Sequence, residues 1–111
     1  MYEDEMKWSA SEKKIARAAF VAALQREFQE VQNLVRQMAV RTKDVQDVWK
    51  LEVYIRERRT QINKKYDYRY SRLIDVFAIL YAEKYLLDED MEGLSPDKLE
   101  LIRRFAKSYA S

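Results

Sequence analysis

Apolar positions recur along most of this chain at intervals of three and four, the period of a helix with one face turned inward. In the first third they fall at Ile15, Ala19, Ala22, Leu24, Phe28, Val31, Val35 and Met38. Ser9-Ala-Ser-Glu12 precedes that run with the spacing of a capping box, in which a hydroxyl caps an orphan N–H and the glutamate reaches back. This predicts a first helix over 9–41. Small residues gather at Ala16, Ala18, Ala19, Ala22 and Ala23. They either raise helix propensity or let another backbone approach closely, and the pattern leaves both open. Thr42-Lys-Asp44 offers the next caps, so a second helix is expected over 44–66. Its stripe is Val45, Val48, Leu51, Ile55, Ile62 and Tyr66, interrupted where Arg58 and Arg59 fall.

Tyr66-Asp-Tyr-Arg-Tyr70 then alternates with period two, which in isolation reads as a short strand. Its helical flanks argue for a bend or a continued helix. Asp67 and Ser71 are candidate caps for a third helix over 68–87, carrying Leu73, Ile74, Phe77, Leu80 and Tyr81. Asp88-Glu-Asp-Met-Glu-Gly93 reads as an acidic loop. Ser95-Pro96-Asp97 is the clearest boundary: a hydroxyl N-cap, Pro at the first helical position and an acid in the first turn. The fourth helix, over 95–109, turns Leu99, Ile102, Phe105 and Ala106 inward and Lys98, Arg103, Arg104 and Lys107 outward. Residues 1–8 are expected to form a flexible start to one helical domain spanning 1–111.

Length now adds a constraint. A helix from about residue 10 to 40 is roughly 45 Å long at 1.5 Å per residue. A compact domain of this size has a radius of gyration near 13 Å, hence a diameter of about 35 Å. Two long helices paired as a hairpin overhang their own core, and a second copy across a two-fold axis covers the exposed remainder. A homodimer is therefore expected from geometry. Trp49 and Arg59 stand out on the second helix: the tryptophan anchors either core or interface, and the arginine occupies a position where the apolar stripe should continue. It either snorkels outward or pairs with an acid and sets the register of a helical interface.

Composition narrows the chemistry. The 111 residues include no His, no Cys, one Gly and one Pro, which disfavours an all-β fold and disulfide scaffolds. It also removes most zinc, haem, iron–sulfur and thiol chemistry, together with the His-dependent triads. Glu27 and Glu30 lack the His that a Glu-x-x-His metal motif requires. No catalytic residues, metal ligands or cofactor are expected, and an enzyme is the last reading. The net charge is +2, from 21 basic against 19 acidic residues, so no overall attraction to nucleic acid follows. Locally, residues 56–69 hold Arg56, Arg58, Arg59, Lys64, Lys65 and Arg69 with interleaved tyrosines, and a nucleic-acid-binding helical dimer is one alternative. No apolar run approaches the ~20 residues of a membrane span, and the acidic start Met1-Tyr-Glu-Asp-Glu5 is the reverse of a signal peptide. The expectation is a soluble cytoplasmic protein.

One constellation is more specific than periodicity. Asp47-Val-Trp49-Lys-Leu51, then Arg59, Ile62 and Lys65-Tyr-Asp-Tyr-Arg-Tyr-Ser71, then Val76-Phe-Ala78, resembles the fluorescence recovery protein family of cyanobacteria. Trp8-Ser9 before the alanine-rich helix, Ala19-Phe20, Arg26-Glu27, Gly93-Leu94 and Asp97-Lys-Leu99 agree with it, so the likeness runs over roughly residues 8–105. The resemblance implies an all-α homodimer, with two long helices as a stalk and two shorter ones as a head. It implies binding to the orange carotenoid protein, mainly its C-terminal domain, with faster return of the photoactivated form to rest and an end to quenching at the phycobilisome. It also implies attachment to thylakoid membranes only through partners, and leaves open whether dimers pair into tetramers. Trp49 and Arg59 match family positions at the dimer interface, where Val45, Val48, Glu52 and Ile55 are placed with them. Arg69, Asp75, Lys98 and Arg103 are the partner-binding candidates on the head. Two departures stand out: Glu52-Val53 replaces a His-Asp pair, and Asp75 replaces an aromatic residue on the head. Either Glu52 takes over pairing with Arg59 or the interface is arranged differently. A relative with the same dimer and a different protein partner is the other alternative.

Overall fold

The computed structural model describes residues 7–110. Among these residues the chain is all-helical: α1 (Ala10–Val40), α2 (Val45–Lys65), α3 (Leu73–Ala82), a single 3-10 turn at Asp88–Met91, and α4 (Pro96–Ala110). α1 and α2 pair antiparallel as a stalk, and α3 and α4 pack together as a head over the first half of α1. The molecule measures 54 × 24 × 23 Å with a radius of gyration of 16.7 Å, above the ~13 Å of a compact chain this long.

Local chemistry sets the helix ends. Ser9 Oγ accepts the Glu12 N–H at 3.1 Å while the Ser9 N–H donates to Glu12 Oε1 at 3.0 Å, completing the capping box. At the far end Thr42 Oγ1 donates to the Ala39 carbonyl at 2.8 Å, and Asp44 Oδ1 accepts the Asp47 N–H at 3.0 Å to start α2.

The core belongs to the head. Leu73, Ile74, Val76, Phe77, Leu80, Leu86, Met91, Leu94 and Ile102 are buried against Ala16, Ala19, Ala23 and Trp8. The alanine cluster thus divides: Ala16, Ala19 and Ala23 let the head approach the α1 backbone, and Ala18 faces solvent. Gly93 makes a second close approach. Its φ is +101°, a left-handed conformation, and a Cβ there would lie 2.5 Å from Ile15 Cδ1.

Three boundaries differ from the sequence expectation. The third helix does not run over 68–87: residues 66–69 are neither helix nor strand, a turn follows at 70–72, and α3 begins at Leu73. The period-two alternation of Tyr66, Tyr68 and Tyr70 is the cause, since it sets the rings together against α1. Tyr66 and Tyr68 meet Phe20 edge-on at 5.4 and 4.8 Å, and Tyr70 lies tilted against Trp8 at 5.8 Å. α3 stops at Ala82 because Lys84 turns left-handed, at φ 72°, and Leu86 N–H returns to the Leu80 carbonyl, carrying Leu86 into the core. The flexible start expected for 1–8 lies outside the described residues at 1–6. It fails at 7–8, where Trp8 is buried and the Lys7 carbonyl accepts from Lys98 Nζ at 2.6 Å.

Candidate functional site

The stalk buries one face of α2 and leaves another open. Leu51, Tyr54, Arg58 and Ile62 turn inward to α1, whereas Val45, Val48, Trp49 and Ile55 are 54, 46, 56 and 42% exposed. The apolar positions of α2 are thus two stripes, not one. The open stripe runs through Val45, Val48, Glu52, Ile55 and Arg59 at alternating steps of three and four, the a/d spacing of a helix-packing seam. Trp49 lies beside it and outside the core. A groove of about 380 Å³ lies between Val48, Leu51, Glu52, Ile55, Arg56 and Arg59. Glu52 reaches Arg56 at 2.9 Å within its own helix, not Arg59. Arg59 has no ion pair among the described residues.

Where stalk meets head, a polar cluster replaces apolar packing. Glu27 is 2% exposed. Its carboxylate accepts from Arg58 Nη2 at 2.8 Å, from Lys65 Nζ at 2.7 and 2.9 Å, and from the Tyr66 hydroxyl at 2.9 Å. Lys65 continues to Glu83 at 2.6 Å, and Arg58 lies 3.7 Å from Glu30, which also accepts from the Tyr85 hydroxyl. Burial, followed by the bond to Glu27, pushes the Tyr66 hydroxyl well above the ordinary tyrosine range. Burial and the Glu30 bond push Tyr85 up to about 12. Arg26 grips Asp90 with two bonds, at 2.6 and 3.1 Å, and donates to the Tyr85 carbonyl at 2.8 Å. Burial opposes the charge on Asp90, but the Arg26 guanidinium and the Leu87 N–H together hold its carboxyl below the usual range. These bonds orient the head on the stalk. Glu27 escaped the sequence reading as a structural hub because it entered only as half of an incomplete metal motif and as part of the Arg26-Glu27 likeness to the family. The available signal was a carboxylate at a helical position between Ala23 and Val31.

The head candidates fare unequally. Lys98 does not point outward: it is 5% exposed, bonded to Glu12 at 3.1 and 3.3 Å, with its ammonium 4.9 Å from the Trp8 ring. Its aliphatic stem is buried while Glu12 and the Lys7 carbonyl satisfy the charge, so it is a structural tie unavailable to a partner. Glu12 also accepts the Ser95 N–H at 2.9 Å, linking the starts of α1 and α4. Burial works against its charge, but those N–H groups and Lys98 hold its carboxyl below the ordinary range. Arg69 is exposed and paired with Asp67, Arg103 is exposed 3.3 Å from Asp88, and Asp75 is half-buried 3.4 Å from Arg72. They sit on three elements: the linker, α4 and α3.

The basic run at 56–69 is not a continuous cationic surface. Arg58 and Lys65 turn to Glu27, Arg56 to Glu52 and Arg69 to Asp67. No helix among the described residues is long and apolar enough to cross a membrane.

An elongated helical stalk with an uncovered seam, locked by a polar cluster to a small packed head, defines a helical interaction protein that works through its surfaces. Residues 8–106 match the family described as photoprotection regulator fluorescence recovery protein. The chain is 35% identical to the fluorescence recovery protein of Synechocystis sp. PCC 6803 over 103 residues, covering 93% of this chain and 94% of that protein. Two solved structures superpose with a TM-score of 0.86 over 91% of this chain and 99% of theirs: the fluorescence recovery protein of Fremyella diplosiphon, 37% identical, and that of Synechocystis, 35% identical. The chain belongs to the fluorescence recovery protein family of photoprotection regulators, as the motifs around Trp49 and Tyr66–Ser71 had indicated.

Proposed function

We propose that this protein acts as a homodimer that binds photoactivated orange carotenoid protein, mainly at its C-terminal domain, and accelerates return to the resting form. The observation that carries the reading is the family match across 8–106, joined to a stalk face with no cover in the protomer. Antiparallel two-fold packing along the open α2 stripe buries Val45, Val48, Trp49 and Ile55. Centred between Ile55 and Arg56, it sets Glu52 of one copy opposite Arg59 of the other, so the acid displaced from the family pattern finds its cation across the dimer. The heads stay at opposite ends, where Arg69, Asp75 and Arg103 are available to the photoprotein.

Acceleration needs no covalent step. A dimer that binds the transition state for domain closure better than the open form speeds recovery tenfold for each ~1.4 kcal/mol of that difference. On this reading the protein is cytoplasmic and reaches thylakoids only through its partners. The dark recovery of photoactivated orange carotenoid protein, followed by absorbance with and without this chain, tests it. Acceleration at substoichiometric amounts is expected. An unchanged rate with a dimer confirmed by light scattering overturns the photoprotein reading and keeps the dimer.

A further inference from the structure

A groove of about 630 Å³ runs along the exposed face of α1, lined by Lys13, Lys14, Arg17, Ala18, Val21 and Tyr70. It differs from the stalk–head junction, where Arg26, Arg58, Lys65 and Lys98 all meet carboxylates. Among the described residues no carboxylate lies within ion-pairing distance of Lys13, Lys14 or Arg17. Two of these cations are nonetheless positioned. The Lys13 ammonium lies 5.2 Å from the Tyr70 ring centre and the Arg17 guanidinium 4.5 Å from that of Tyr68. Val21 is 42% exposed beside them.

Three cations beside a small apolar surface, two of them held on tyrosine rings, thus have no negative complement among the described residues. We propose that this groove docks an acidic peptide segment of a protein partner, with carboxylates on Lys13, Lys14 and Arg17 and an apolar side chain on Ala18 and Val21. The inference goes beyond the photoprotein reading and does not depend on it. A single-stranded nucleic acid fits less well, because Tyr68 is engaged edge-on by Phe20 and Tyr70 by Tyr68 and Trp8, leaving no run of free stacking faces.

The probe is a fluorescein-labelled peptide, acetyl-Glu-Asp-Leu-Glu-Asp-Leu-amide, titrated with the full chain by anisotropy and mapped by backbone amide shifts. Shifts are expected at 13–25 and 68–70, with Kd weakened about tenfold in Lys14→Glu/Arg17→Glu and unchanged in the distant Lys64→Glu control. No binding, equal loss in the control, or shifts confined to other residues overturns the proposal. Tighter binding of a twelve-residue oligothymidylate than of the peptide hands the groove to nucleic acid and overturns it too. So does a changed oligomeric state of the double variant, which assigns the groove to a second copy. Neutralising Glu3, Asp4 and Glu5 should leave the peptide Kd unaltered; a tenfold tightening would make the chain's own acidic segment the occupant.

Discussion

Glu27→Gln removes one negative charge from a site where two cations converge. The carboxylate side chain is 3% exposed, and those of Arg58 and Lys65 are 16 and 13% exposed, so water screens the change poorly. At an effective dielectric constant near 20, each of these contacts carries about 4 kcal/mol of Coulomb attraction, much of it offset by the desolvation already incurred. Gln retains one acceptor oxygen but turns N–H donors toward groups that also donate, leaving Arg58 and Lys65 facing each other. Glu30 and Glu83 relieve part of that repulsion, at 3.7 and 2.6 Å respectively. Breaking a buried pair from one side typically costs about 3–5 kcal/mol; the two remaining carboxylates place this case near 3. That corresponds to a fall in Tm of about 12 °C for a chain of this length. Urea unfolding of both proteins at one protomer concentration measures it, since dimerisation makes stability concentration-dependent. Glu30→Gln is the matched comparison, because that side chain is 49% exposed and should lose less than about 1 kcal/mol. Equal losses in the two variants, or a loss below about 1 kcal/mol for Glu27→Gln, would refute the claim that this carboxylate ties α2 and the linker to α1 at the base of the head.

Other consequences are equally open to measurement. Trp49→Ala should raise the dimer dissociation constant by roughly thirtyfold, the ~2 kcal/mol of an aromatic anchor, with Arg59→Leu acting in the same direction; analytical ultracentrifugation giving wild-type values for both would dismiss the α2 face as the interface. Gly93→Ala combines a left-handed backbone with a 2.5 Å approach to Ile15, so a loss of about 1–3 kcal/mol in thermal unfolding is expected, and wild-type stability would disprove the close approach. Glu12 and Asp90 have folded pKa values below their ordinary 4.5 and 3.8, so their contribution is complete above those values and is lost as pH falls through the lower folded ones. The stability gap between wild type and Asp90→Asn should accordingly shrink as pH drops below about 4; a gap constant from pH 7 to 3 would show that Asp90 acts through shape, not charge.

How much of this was legible along the chain depended on how local the cause was. The capping box at Ser9–Glu12, the Asp44 cap and the Ser95-Pro96 start of α4 were readable because each involves residues three or four apart. The family was readable because the motifs around Trp49 and Tyr66–Ser71 keep their spacing. Of the two outcomes that the helical flanks of Tyr66–Tyr70 suggested, a bend or a continued helix, the chain takes the bend, with no regular structure at 66–69 and a turn at 70–72. Lys98 was misread because a helical wheel assigns faces by residue type, and a lysine whose partner is 86 residues away looks like any solvent-facing cation. The α2 stripe looked single because spacing alone cannot say which neighbour covers each apolar residue.

The all-helical class, the caps and the excess of apolar surface over a compact core were therefore properties of the linear pattern, since backbone hydrogen bonds and side-chain period are local. Packing alone could make Glu27 a four-bonded hub, spend Arg58 and Lys65 on it, divide the alanine cluster and leave Val45 to Arg59 uncovered. Each of those outcomes rests on which distant surface arrives opposite a side chain. Burial and pairing decide the energy of a charge or an apolar group, and both are set by the neighbour, not by the residue.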